Sequence, residues 1–214
     1  MALHPADSSP ALKAHIKQSE RLILNAYFDP VGVPTAGWGH TAGITNDMAR
    51  AKVPVSQRQA EQWFEEDLDV AERTVRAKVS VALNQNQFDA LVDFVFNCGA
   101  ANFAGSTLIK RLNAGDYAAV PAQLMRWTKA RNRATDQMVE LQGLVIRRKW
   151  EADLWQDTKS LHPAAPPTPP AEYPPVIANQ PTVIPCAEGE KPSLAGLIAQ
   201  VIAAIIRAIL GSRK

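Results

Sequence analysis

Apolar positions recur every three to four residues over most of the first 160 residues, the spacing of helices that bury one face. Ser9-Pro10 pairs a capping hydroxyl with a proline suited to the first turn, and the helix it opens is predicted to run to about Asn25. Ser56 with Gln59 three residues later reads as a capping box ahead of QRQAEQWFEEDLDVAERTVRAKV, and Asn84 with Gln87 repeats it before FDALVDFVFN. STLIKRLNAG is a helix with a good stop in Asn-Ala-Gly. DYAAVPAQLMRW, which tolerates Pro121 only near its first turns, and LQGLVIRRKWEADLW are further amphipathic helices. Residues 26–44 break the helical period. There Tyr, Phe, Val, Thr and Trp are interrupted by Gly and Pro, the signature of a small twisted β-hairpin or three short strands. The predicted class is α+β, mostly helical.

The pattern changes twice toward the C-terminus. Residues 162–185 hold nine prolines in 24 positions, which predicts an extended, semi-rigid linker. Residues 194–210 are then apolar apart from Gln200 and Arg207. As a helix this segment would be about 25 Å long at ~1.5 Å per residue, short of the ~30 Å hydrocarbon core of a bilayer. Ser193, Gln200, Arg207 and Lys214 fall every seven residues and make one narrow polar stripe. A helix apolar on most of its circumference must be covered by protein or lipid. The expected organisation is a globular domain over 1–160, a linker over 161–192 and an amphipathic helix over 193–214, the last expected to contact a membrane, with self-association as the alternative.

Charge narrows the function. A net charge of +2 in 214 residues argues against nucleic acid as the main partner. Cys98 sits in an apolar run and reads as a small buried hydrophobe, Cys186 lies in a proline-rich stretch, and neither has the spacing of a zinc site. No cofactor is expected. The N-terminus lacks an apolar stretch of signal-peptide length, so the expectation is synthesis in the cytoplasm without a signal peptide.

Candidate chemistry lies in SERLILNAYFDPVGVPTAGWGHT. Glu20 is placed on the last turn of the first helix, Asp29 just after a short strand, and Thr35 six residues further on. A helix end facing a hairpin makes the wall of a cleft. Two carboxyl groups across a cleft are what glycosidic hydrolysis requires, one to protonate the leaving oxygen and one to activate water or stabilise positive charge. The spacing alone is equally that of a solvated helix end and a turn aspartate.

The wider pattern is more specific. Glu20, Asp29 and Thr35, followed by GWGHT, NQNQFDALVDFVFNCG, STLIKRLNAGDY and GLVIRRKWEADLW in that order, resemble the phage lysozyme (endolysin) family, glycoside hydrolase family 24. The resemblance spans about residues 11–155. It implies a two-lobed lysozyme-like fold and muramidase activity, cleavage of the β-1,4 bond between N-acetylmuramic acid and N-acetylglucosamine in peptidoglycan. By position it implies Glu20 as general acid, Asp29 as second carboxylate and Thr35 as the hydroxyl that positions water, with inversion at the sugar. It also pairs His40 with Asp67. Two departures stand out: Trp38 replaces the usual tyrosine of the Gly-Tyr-Gly-His motif, and residues 129–142 differ from the usual glycine-rich loop.

Trp38, Ser106 and Arg148 are the candidates for substrate contact, although Ser106 also reads as a helix cap and Arg147 or Arg148 could reach Glu20 instead. Trp63, Trp127, Trp150 and Trp155 read as core. The expected role is an endolysin that acts on the wall from the periplasm and lyses the host, with peptidoglycan as partner, a membrane contact through the tail and a pore protein (a holin) for release. The alternatives are a secreted antibacterial muramidase effector and a membrane-perturbing protein whose lysozyme domain only binds the wall.

Overall fold

The computed structural model describes residues 4–29, 32–132, 137–157 and 183–184. Helix α1 (Pro10–Ser19) starts as its sequence dictates: Ser9 Oγ accepts from the Leu12 N–H at 3.1 Å and Pro10 occupies the first turn. It stops at Ser19, six residues before the predicted end. Glu20 still donates its N–H to Ile16 O but has turned to extended backbone. The following ILNAYF is rich in strand formers and becomes β1 (Ile23–Phe28). Its backbone groups are taken by neighbours: the Ala26 N–H donates to Val53 O, and Leu24 O accepts from the Val55 N–H. Pairing with distant chain outcompetes continuation of the helix.

Strand β2 (Pro34–Gly37) returns antiparallel, with Tyr27 opposite Thr35 and Phe28 opposite Pro34. The hairpin lies close on the long helix α3 (Gln57–Lys78): a Cβ at Gly37, where φ is +64°, would stand 3.3 Å from the Ala60 side chain. Between them lies α2 (Asn46–Ala51), capped by Thr45 and not predicted. Helix α3 buries Ala60, Phe64, Leu68, Ala71 and Val75, one face at helical spacing.

The helical part is built around α4 (Gln85–Cys98), which starts with the predicted reciprocal capping box of Asn84 and Gln87. Phe88, Leu91, Val92 and Phe94 are buried on different sides of it, as suits a helix surrounded by others. Short helices α5 (Ala100–Gly105) and α6 (Thr107–Asn113) follow. The helix predicted around Pro121 divides into a 3-10 turn, Tyr117–Ala119, and α7 (Val120–Leu124), which has the proline in its first turn. The stretch expected to be a loop before the last helix contains a hairpin, β3 (Lys129–Asn132) with β4 (Met138–Glu140). Helix α8 (Gln142–Gln156) packs on α4 and α7. In the proline-rich stretch, β5 (Val183–Ile184) pairs antiparallel with β3. Apart from β5, residues 158–214, and with them the proposed tail helix, lie outside the described residues. Among the described residues no helix is long and apolar enough to cross a membrane.

Candidate active site

The end of α1, the β1–β2 hairpin and the end of α4 converge on one cleft. Glu20, Asp29 and Thr35 all line it, together with Tyr27, Trp38, Phe96 and Asn97. The hairpin positions its two residues through the backbone. Asp29 ends the strand ladder: its N–H donates to Val33 O, its carbonyl accepts from the Gly32 N–H, and its Oδ1 accepts from the Val33 N–H at 2.7 Å. That turn orients the carboxylate. Thr35, 3% exposed, donates its hydroxyl proton to Val33 O at 2.9 Å. Its oxygen is therefore left to accept from a molecule in the cleft. Trp38 forms part of the wall, wedged edge-on against Phe64 with the Lys17 ammonium over its ring.

Glu20 is held differently. Its Oε1 accepts from Arg147 Nη1 at 2.7 Å, and Arg147 comes from α8, 127 positions away. The rest of that guanidinium forks onto Asp93 of α4, Nε to Oδ2 and Nη2 to Oδ1, both at 2.8 Å. Burial would raise the Asp93 carboxyl, but the Arg147 charge and its hydrogen bonds outweigh burial and hold it well below the usual carboxylate range. Tyr27 reports both sides of the cleft: burial raises its phenol, and the charges of Asp29 and Glu20 raise it further. It stays a neutral hydrogen-bonding group across the ordinary pH range.

Two candidates for substrate contact are not in this cleft. Arg148 is fully buried, donating to Glu151 Oε1 at 2.6 Å, to Asn97 Oδ1 and to the Cys98 sulfur, with its guanidinium over Phe94. Successive residues on a helix point about 100° apart, so when Arg147 faces the cleft Arg148 faces the core. Ser106 is 1% exposed and caps α6, accepting from the Ile109 N–H. His40 Nδ1 stands 2.9 Å from Asp67 Oδ2, and the buried imidazole stacks on Trp63 at 4.7 Å. This pair ties the segment after β2 to α3. Trp127 and Trp155 are buried, and Trp63 and Trp150 are partly buried against the core.

Sequence reasoning missed Asp93, Tyr27, Phe96 and Asn97. For Asp93 a signal existed: Asp89 and Asp93 are the two charges in the mostly apolar FDALVDFVFN, and a charge in such a helix needs a partner. Among the described residues no group of three or more His, Cys, Asp or Glu side chains is arranged to hold a metal ion.

Known proteins share both the sequence and the fold. A family model described as phage lysozyme matches residues 17–151. The endolysin of Acyrthosiphon pisum secondary endosymbiont phage 1 is 37% identical over 142 residues, covering 66% of this chain and 92% of that one. The endolysin of Salmonella phage P22 is 36% identical over 115 residues, covering 54% and 79%. Among solved structures, the muramidase domain of SpmX from Asticaccaulis excentricus superimposes with a TM-score of 0.62 at 31% identity, covering 71% of this chain and 99% of that domain. The endolysin from Escherichia coli O157:H7 phage FAHEc1 gives 0.58 at 34%, covering 70% and 92%. A family model that runs from α1 into α8, through both walls of the cleft, leaves one assignment: the chain belongs to the phage lysozyme family and is a glycoside hydrolase, a peptidoglycan-hydrolysing muramidase.

Proposed function

We propose that Glu20 is the general acid of this muramidase, that Asp29 activates the attacking water, and that Thr35 orients that water. Glu20 gives its proton to the glycosidic oxygen as the bond to the anomeric carbon breaks. Asp29 takes a proton from water on the opposite face of the sugar, and the anomeric configuration inverts. The water donates its second hydrogen to Thr35 Oγ1, which leaves a lone pair directed at the anomeric carbon. The observation that carries this reading is the convergence of all three side chains on one cleft, with Glu20 fixed by Arg147 at 2.7 Å. Once Glu20 has given up its proton, the same guanidinium stabilises the carboxylate left behind.

Product analysis after digestion of purified peptidoglycan tests the reaction. New reducing ends should be muramic acid; reducing-end glucosamine, anhydro-muramic ends or cut peptides would overturn it. Host lysis, the usual role in this family, is the role this chemistry serves here. Residues 193–214 bring the enzyme to anionic membranes, because an apolar helix with Arg207, Arg213 and Lys214 supplies both terms of interfacial binding. A chain ending at Ser160 should digest isolated peptidoglycan normally and lose affinity for anionic vesicles; equal vesicle binding by both forms would reject the membrane role. Passage to the periplasm through a holin pore completes the proposal.

A further inference from the structure

Arg147 serves two carboxylates at once. Its Nη1 reaches Glu20 at the cleft, while its Nε and Nη2 lie in a two-point fork on Asp93, which has no exposed surface. The fork has two physical consequences. First, two parallel hydrogen bonds fix the plane of a guanidinium, so the direction of the Nη1–H toward Glu20 is set from behind. Second, it cancels charge. A guanidinium in hydrogen-bond contact favours the ionised form of a carboxyl group, whereas a general acid must arrive protonated. An ionised Asp93 on the far edge of Arg147 leaves the pair with no net charge and offsets part of the guanidinium's field at Glu20.

The groups around the triad leave this balance in control. His15 of α1, stacked on Trp150, has its imidazole lowered by burial and so favours the neutral form. Glu151, one turn along α8 from Arg147, is raised by burial and by Asp93 against the pull of Arg148, which favours its neutral acid. Tyr27 of β1 is neutral, and Asp29 stands on the opposite wall. The charge nearest Glu20 is therefore that of Arg147, offset or not by Asp93.

We propose that Asp93 is a positioning residue for the hydrolytic reaction: it clamps Arg147 so that the guanidinium holds Glu20 Oε1 in place while part of its positive charge is balanced from behind. This rests on Glu20 being the proton donor. Asp93 does not touch the substrate; it acts through Arg147. The clamp lets one arginine orient the acid before proton transfer and stabilise its carboxylate afterwards.

The test compares full-length wild type, Asp93→Asn and the neutral double variant Asp93→Asn/Arg147→Gln, measuring release of reducing ends from purified peptidoglycan across pH. In Asp93→Asn the arginine acts on Glu20 unbalanced. The alkaline limb of the profile should move about 1 pH unit lower, the lower end of what one adjacent opposite charge does to a carboxyl group, and kcat at neutral pH should fall about tenfold with KM little changed. In the double variant the limb should return toward wild type while kcat stays low, because nothing orients Glu20. An Asp93→Asn protein that folds and keeps both the wild-type limb and the wild-type Glu20 titration would make Asp93 merely structural. Should that variant not fold, the double variant decides: wild-type kcat would overturn the proposal, and reduced kcat with the wild-type limb supports it. Carboxyl carbon NMR of Glu20, assigned by its loss in Glu20→Gln, separates this inference from the catalytic assignment. If the Glu20 titration moves in Asp93→Asn and the hydrolysis limb does not, the clamp stands and Glu20 is not the acid; if the titration does not move, the clamp fails.

Discussion

The two walls of the cleft are built by different means. On the hairpin side, the Asp29 and Thr35 side chains are set by hydrogen bonds to the backbone of Val33, which span four residues or fewer. On the helical side, Glu20 is set by Arg147, 127 positions away, which is anchored by Asp93 across 54 more. One wall is a local turn and the other is a buried network of charge. The contrast says where each wall is vulnerable. Removing a cleft group from the hairpin takes chemistry and leaves the fold, whereas removing a member of the network leaves a partner charged and unpaired inside the protein.

Three substitutions would break or sharpen that contrast. The largest effect belongs to the hairpin side. Asp29→Asn keeps the shape and the acceptor for the Val33 N–H but cannot take a proton from water. Hydrolysis should fall by ~10²–10⁴-fold with thermal stability near wild type; a large loss of stability instead would mean that this wall, too, depends on its charge. Next comes the core of the helical side. Arg148→Met should cost about 3–5 kcal/mol by taking the donor away from the buried acceptors Glu151 Oε1, Asn97 Oδ1 and the Cys98 sulfur, at ~1–3 kcal/mol for each buried group, read as a shifted denaturation midpoint, while the folded fraction keeps most of its activity. Full stability with lost hydrolysis would return Arg148 to the substrate-contact role that its burial denies it. Smaller again is the pair that joins the segment after the hairpin to α3. His40→Asn removes the contact with Asp67 and the stack on Trp63, and should cost about 1–3 kcal/mol because Asp67 is partly solvated. Activity per folded molecule should persist, and an inactive but equally stable variant would move His40 into the chemistry.

The same contrast explains what the sequence made legible. The caps at Ser9 and Asn84 and the Asp29 turn are local and could be read directly, because each is a side chain meeting backbone within four residues. The early end of α1 could not be read that way. Residues 21–25 satisfy helical spacing, and only pairing with β2 and with Val53 and Val55 makes a strand the better state. Arg147 and Arg148 posed the hardest choice. Adjacent and chemically alike, they point to different partners, and the phase of α8 relative to α4 decides which one meets the cleft. That phase is set by packing over the whole helix, not by the two residues. Asp93 gave its signal as a charge among apolar neighbours, but no local rule names its partner.

Glu20 stands where the buried network meets the cleft, and the chemistry turns on it. The most direct measurement is the rate at which purified peptidoglycan gains reducing muramic acid ends with wild type and with Glu20→Gln, both checked for folding by denaturation. Glutamine preserves the shape and an acceptor for Arg147 but has no acidic proton to give, so the expected result is a folded protein whose rate has fallen by ~10²–10⁴-fold. A folded Glu20→Gln protein that still releases muramic acid ends at close to the wild-type rate would contradict it.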